Sequence, residues 1–431
     1  MISRGLKEFR GKRILMLQGP VGPFFARLAS DLAWAGALVF KVNFNGGDWI
    51  FSVFREYAGV INYRGSMAEW PDFYADLLVR LNIDTVLLFG DCRPIHAQVV
   101  QIAHAQKLEV GVFEEGYLRP DYITLERDGV NNHSSLSTDP SYYLNSPFDA
   151  APPTRPVGST FGMAALWGMV HNAAGSVFKP WFWHYRHHRS LSWLDGLYWI
   201  RSYIRKKHYA VTEQHAMPLL TGAHSGKFFL VALQTNADAQ IKIHSKFESV
   251  GQFIEETIAS FGQHAPANMH LVIKHHPLDR GYTDYTALIA RCVAEQRIGY
   301  RCHYIHDQHL PTLFKHARGV VVVNSTVGLS AVGEGVPVKV CGEAIYHMRG
   351  LTFQGPLDEF WRQARLAVPN PKLYQAFKNY LVARTQHNGS FYKRLPEVAH
   401  FTGVAWTDRD ERAQRNLINF VPKTRKRSRA A

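Results

Sequence analysis

The sequence predicts an α/β fold of two doubly wound parallel sheets facing a cleft, with a helical insertion rich in aromatic and basic residues between them. Three observations carry this. The chain has 431 residues, more than one ordinary core accommodates. Short apolar runs alternate with helix-length stretches before residue 115 and again after Gly226. The segment between breaks that rhythm. The expected divisions are an N-terminal α/β domain over 1–150, an insertion or linker over 151–215, a second α/β domain over 216–375, and a C-terminal helical segment with a basic tail over 376–431.

In the first domain, Arg13 to Leu17 is an apolar run ending in Gln18-Gly19-Pro20-Val21-Gly22-Pro23, where Gly and Pro punctuate a strand-to-helix turn. A helical pattern through Phe25, Leu28 and Leu32 leads to a strand over Ala37 to Val42. A helix around Phe73 to Leu81, a strand at Thr85 to Phe89, a helix from Pro94 to Gln106 and a strand at Val110 to Phe113 follow. Ile123 to Val130 reads as a hairpin turning at Asp128-Gly129. The insertion opens with Pro152, Pro153 and Pro156. It then carries Trp167, Phe178, Trp181, Phe182, Trp183, Tyr185, Trp193, Tyr198, Trp199 and Tyr203, interleaved with Lys179, Arg186, Arg189, Arg201, Arg205, Lys206 and Lys207. The second domain predicts strands at Phe228 to Leu233, His270 to Lys274, Arg301 to Ile305, Gly319 to Val323 and Pro337 to Val340, with helices at Ser249 to Phe261 and Thr286 to Gln296. Lys423 to Arg429 is a solvated basic run.

Hydrophobic residues make up 46% and charged residues 19%, the balance of a globular protein. Cys92, Cys292, Cys302 and Cys341 lie far apart, with no CxxC pair and no Cys/His group at zinc spacing. Buried thiols in a reducing compartment, and no metal, are expected. The basic start is followed by only four apolar residues, Ile14 to Leu17, and no run approaches the ~18 needed to span a bilayer. A cytoplasmic protein is expected. The net charge of +14 favours anionic partners.

Ligands of open parallel sheets sit beyond the carboxyl ends of the strands. Four groups occupy such ends. Gln18 and Gly19 follow the first strand, and Asp91 follows Gly90. The third group is Glu114-Glu115-Gly116-Tyr117-Leu118-Arg119-Pro120-Asp121. Neighbouring strand residues face opposite ways, so at most one of Glu114 and Glu115 faces the cleft while the strand lasts. Either could be a general base or nucleophile, or a partner of Arg119. The fourth group pairs His275-His276-Pro277 with Asn324-Ser325-Thr326 at a helix start, where free amides suit a phosphate or Ser325 simply caps the helix. Imidazoles there could serve as cations or donors. Neither GxxxxGK[ST] nor GxGxxG occurs at the strand ends. The aromatic and basic insertion suits a membrane interface, a nucleic-acid strand, or ordinary packing. The absence of RNP, KH and zinc motifs argues against nucleic acid.

Phe113 to Asp121, with Gln18-Gly19-Pro20 and Phe89-Gly90-Asp91, resembles the capsule polysaccharide biosynthesis family of the KpsS type, related to retaining β-Kdo transferases of the KpsC type. In the KpsC type the segment reads Glu-Asp-Gly-Phe-Leu-Arg; Glu114, Glu115, Gly116 and Arg119 match it, with Glu115 in place of Asp. His276-Pro277 and Asn324 to Gly328 match the family's His-Pro step and Asn-Ser-Thr-x-Gly run. The resemblance implies a GT-B-like glycosyltransferase with Rossmann-like domains, transferring β-Kdo from CMP-Kdo to a (lyso)phosphatidylglycerol to begin a poly-Kdo linker. It implies a protein peripheral on the inner face of the bacterial inner membrane, working with other capsule assembly enzymes and without a cofactor. Glu115, Glu114 and Asp121 are then the catalytic candidates, with Asp91 behind them. Arg119 would hold the Kdo carboxylate, and His275, His276, Asn324, Ser325 and Thr326 would hold CMP. The alternatives are an inverting transferase using another nucleotide sugar and a non-catalytic assembly or export factor.

Overall fold

A computed structural model describes residues 4–53, 57–145, 148–185, 195–236, 241, 244–395 and 402–404. Arg186, Arg189, Trp193 and the Lys423 to Arg429 run lie outside the described residues.

The first sheet contains β1 (Arg13–Met16), β2 (Leu38–Asn43), β3 (Gly59–Asn62), β4 (Thr85–Phe89), β5 (Glu109–Glu115) and β6 (Tyr122–Arg127). The second contains β7 (Phe228–Ala232), β8 (His270–Lys274), β9 (Cys302–Ile305), β10 (Gly319–Val322) and β11 (Val338–Val340). A last strand, β12 (Gln386–Asn388), returns to the first sheet. The orders are β12-β6-β5-β4-β1-β2-β3 and β11-β10-β7-β8-β9. Strands β1 to β5 pair in parallel, as do β7 to β11. The two predicted doubly wound sheets are therefore present.

Each sheet is buried on both faces, which is why its strands read as continuous apolar runs. Ile14, Met16, Leu87 and Phe113 pack on one face of the first sheet. Leu15, Leu17, Val86, Leu88, Val110 and Val112 pack on the other. In the second sheet, Leu230, Val272 and Val322 face one core and Val231, Ile273 and Val323 the other.

Two local expectations are corrected, and two strands lie beyond those expected. Residues 123–130 do not fold back on themselves. They run as one strand, β6, antiparallel to β5, because Leu125 and Ile123 join the Phe113 core and the actual reversal is the loop 116–121. Asp128 at its end adopts a φ of 69° and accepts from His104 Nε2. The helix expected from Pro94 starts at Val99. Tertiary contacts hold the preceding turns: Trp70 Nε1 donates to the Ile95 carbonyl, and His96 Nδ1 bonds the Gly90 carbonyl. Strands β3 and β12 had no apolar pattern to announce them. The helix Pro371–Arg384 packs Leu373, Phe377 and Leu381 against the second sheet, after which the chain crosses to β6.

No helix among the described residues is long and apolar enough to cross a membrane.

Candidate functional site

A doubly wound sheet changes winding direction at one point, and the crevice beyond the strand ends there is the usual ligand site. In the first sheet that point lies between β1 and β4, and in the second between β7 and β10. The predicted groups occupy both.

At the first switch point Gln18 is buried and fully engaged. Its Nε2 donates to Asp48 Oδ2 at 3.1 Å and to Tyr185 Oη at 2.9 Å, and its Oε1 accepts from Arg93 at 2.9 Å. Arg93 also donates to the Gly19 carbonyl at 3.2 Å and lies over the Phe89 ring. Gly19 abuts Phe25: a Cβ there would approach Cδ2 to 2.7 Å. Gln18 and Gly19 therefore shape the crevice floor and position Arg93. Arg93 and Asp48 escaped the sequence reading because no periodicity or motif marks them.

Asp91 is buried beyond β4. Its Oδ2 accepts from the Val130 amide at 3.2 Å and from His133 Nδ1 at 2.9 Å, and its Oδ1 accepts from the Cys92 thiol at 3.3 Å. Burial alone would raise its pKa. The His133 bond and charge, with the Val130 and Cys92 bonds, outweigh that and hold the carboxyl below its usual range.

Both adjacent glutamates still belong to β5, so the pleat separates them. Glu115 shares the face of Phe113 and accepts from Tyr392 Oη at 2.8 Å, beside Phe391 of the same core. Glu114 shares the face of Val112, toward Arg93 and Asp91. Burial pushes its carboxyl up to about 7; the Glu115 and Asp91 charges add to the rise, against the Glu115 amide and Arg93. The structure brings Glu114, not Glu115, to Asp91.

The loop after β5 fills other roles. Gly116 lies against the Tyr122 carbonyl, which a Cβ would approach to 1.9 Å. Tyr117 donates to Glu126 Oε1 at 2.6 Å inside the core and accepts from the Asn131 amide at 2.7 Å. Arg119 is exposed, and its Nε donates to the Gly116 carbonyl at 3.2 Å. Asp121 accepts from the Val157 amide at 2.7 Å, and its carbonyl accepts from Gly389 and Asn388 beside β12. Asp121 thus fastens the linker and the last strand to this loop.

At the second switch point Gln234 Nε2 donates to Asn324 Oδ1 at 2.9 Å, joining the ends of β7 and β10. Ser325 caps the helix Thr326–Gly333 by accepting from the Val327 amide at 3.2 Å, and Thr326 opens that helix. His275 ends β8 with Nδ1 2.6 Å from Tyr304 Oη. Its buried Nε2 has no partner among the described residues. Burial and then the neighbouring His306 hold its pKa down to about 4, which disfavours the charged form. His276 is half-buried, with Nδ1 accepting from the Leu278 amide at 3.2 Å. Lys274 Nζ donates to the His306 carbonyl at 2.9 Å, and His306 pairs with Glu213 while stacking on Tyr209 at 3.5 Å.

The halves meet at these carboxyl ends. His244 Nε2 lies 3.4 Å from Cys92 Sγ, the His244 and His133 rings are 5.0 Å apart, and Asn132 Nδ2 bonds Glu343. Cys92 is thus not a buried inert thiol but part of the junction. Cys92, His133 and His244 each present a ligand atom within 4.8 Å of the others, a grouping invisible to local spacing.

The insertion divides in two. Trp167 donates to the Tyr392 carbonyl, Phe178 packs on Trp49, Phe182 is buried and Tyr185 joins Gln18, so these are structural. The helix Asp195–Thr212 turns Tyr198, Arg205 and Tyr209 onto Tyr282, Asp284 and His306. Its other side exposes Leu197, Ile200, Tyr203 and Ile204 beside Arg201, Lys206 and Lys207. A groove lined by Arg64, Pro180, Trp181 and Trp183 lies elsewhere on the surface.

The family model described as capsule polysaccharide biosynthesis protein matches residues 84–392. The chain is 40% identical over 383 residues to the capsule polysaccharide export protein KpsS of Escherichia coli, covering 89% of this chain and 97% of that one. It is 36% identical over 393 residues to the capsule polysaccharide modification protein LipB of Neisseria meningitidis serogroup A, covering 89% and 92%. Among solved structures, a glycosyltransferase from Rickettsia africae ESF-5 aligns over 86% of this chain and 93% of its own, at 10% identity and a TM-score of 0.36.

Proposed function

The chain belongs to the capsule polysaccharide biosynthesis family, and from that premise we propose that it is a glycosyltransferase moving β-Kdo from CMP-Kdo to a (lyso)phosphatidylglycerol at a membrane surface. The observation that carries the reading is the pair of carboxylates at the first switch point. Glu114 is tuned to titrate near neutral pH and Asp91 is held ionised beside it. Two carboxyl groups with pKa values pushed apart are the signature of divided roles in glycosyl transfer.

In this reading Glu114, ionised, attacks the anomeric carbon of Kdo. The bond from that carbon to the CMP phosphate oxygen breaks and CMP departs with the electron pair. The acceptor hydroxyl then attacks the same carbon, the Glu114 ester bond breaks, and the hydroxyl proton is released to solvent. Two inversions give retention. Both Asp91 oxygens are occupied, so its role is to offset positive charge developing on the sugar ring. Glu115 braces the strand through Tyr392. Arg119 would hold the Kdo carboxylate. CMP would lie across the second switch point, its phosphate meeting the free amides of the Thr326 helix start.

The outer side of Asp195–Thr212 supports the membrane part. Tyr203 and Ile204 are 63% and 60% exposed beside three cations, a composition suited to an anionic headgroup layer. The test is transfer of Kdo from CMP-Kdo to fluorescent lysophosphatidylglycerol, with UDP- and other CMP-sugars as competitors. Turnover by the wild type and none by a folded Glu114→Gln protein is expected. Turnover with a UDP-sugar alone would replace the donor, and binding without turnover of any donor would replace the enzyme by an export factor.

A further inference from the structure

We propose that Cys92, His133 and His244 form a binding site for a borderline-soft divalent metal of the zinc class, clamping the two halves of the protein together. The three ligand atoms lie within 4.8 Å of one another. Cys92 follows β4, His133 ends the turn Asn131–His133, and His244 comes from the second half, after β7. The Cys92 Sγ to His244 Nε2 distance is 3.4 Å. Tetrahedral zinc with ordinary Zn–S and Zn–N bonds sets that separation at roughly 3.6 Å, so the pair needs almost no adjustment.

The surroundings match a metal site beyond the ligands. Metal-binding histidines usually give their second ring nitrogen to a carboxylate, which fixes tautomer and orientation. Asp91 Oδ2 takes His133 Nδ1 at 2.9 Å, leaving Nε2 for an ion, and the Val130 amide holds that same oxygen at 3.2 Å. His244 is 1% exposed, and its carbonyl accepts from the Glu343 amide at 2.9 Å, which fixes its backbone. One sulfur and two imidazoles select zinc, cobalt or copper over magnesium or calcium. Three protein ligands leave a fourth position for water or a ligand oxygen. A second trio, His224, His270 and His303, sits at the opposite, amino ends of β7 to β9. Arg301 and Lys227 crowd it with like charge and it lacks a thiolate, so it serves as the control.

The test uses the full chain, stripped with chelator and titrated with cobalt(II). The expected result is one equivalent bound with a thiolate-to-cobalt charge-transfer band, present in wild type and His270→Asn and lost in Cys92→Ser. His133→Asn and His244→Asn should weaken binding at least tenfold, and Asp91→Asn by about 10- to 100-fold. Zinc should raise the Tm of wild type and slow alkylation of Cys92, read by peptide mass spectrometry on the unmutated protein. A wild type that binds no cobalt with this band, a band retained in Cys92→Ser, or Cys92 alkylation unchanged by zinc overturns the site. No outcome depends on Kdo transfer, so this proposal and the enzymatic one fail separately.

Discussion

Tyr392 donates its hydroxyl to Glu115 Oε1 at 2.8 Å, on the face of β5 opposite Glu114. This bond helps tie the returning C-terminal segment to the strand end and occupies one of two residues that look equivalent in sequence.

Glu114→Gln should therefore lower kcat by about 10³-fold or more, while Glu115→Gln should stay within about tenfold of wild type and lose stability instead. Steady-state transfer assays alongside chemical denaturation distinguish these outcomes. The reverse ranking would return the nucleophile to Glu115.

The pH–rate profile should show kcat/KM rising through about 7, because Glu114 is raised to that value and acts as carboxylate. Asp91, held low, should contribute no limb in that range. A rate falling through pH 7 would assign Glu114 as an acid.

Glu126 makes an opposite demand on stability. Burial pushes its carboxyl up to about 7, against bonds from Ser134 and Tyr117. A folded pKa above the unfolded one means the native state binds the extra proton between about 4.5 and 7. Its contribution is complete below the unfolded pKa and lost as pH rises through the folded one. Glu126→Gln, which keeps an acceptor for Tyr117, should flatten that decline and leave the variant more stable than wild type at pH 8.5. Denaturant midpoints across pH 5 to 9 measure it.

Gly116 and Gly328 occupy positions where steric room is absent. A Cβ at Gly328 would come 2.2 Å from Tyr346 Oη, which bonds the Ser325 carbonyl, and one at Gly116 would meet the Tyr122 carbonyl backbone. Gly116→Ala and Gly328→Ala should each cost about 2 kcal/mol or more. Urea unfolding gives the values.

Replacing Arg201, Lys206 and Lys207 by Gln should weaken binding to phosphatidylglycerol vesicles, read by co-sedimentation, by roughly 10²-fold at low salt, from about 1 kcal/mol per cation. Equal binding to phosphatidylglycerol vesicles by both proteins would remove electrostatics from the docking.

What the sequence determined by itself was the layering and which residues end the strands beside the candidate site. Two series of continuous apolar strands can only be buried on both faces, and the residues that end them must line the crevice edges. Gln18, Asp91, Glu114, His275 and Asn324 were legible for that reason. The tertiary structure decided which partners hold each of them. Glu114 separates from Glu115 because the pleat continues to residue 115, and the Asp121 carboxylate accepts from the Val157 amide, which fastens the linker to this loop. Arg93, Asp48 and the Cys92–His133–His244 group exist only where loops far apart in the chain converge, and such convergence leaves no local period or spacing to read.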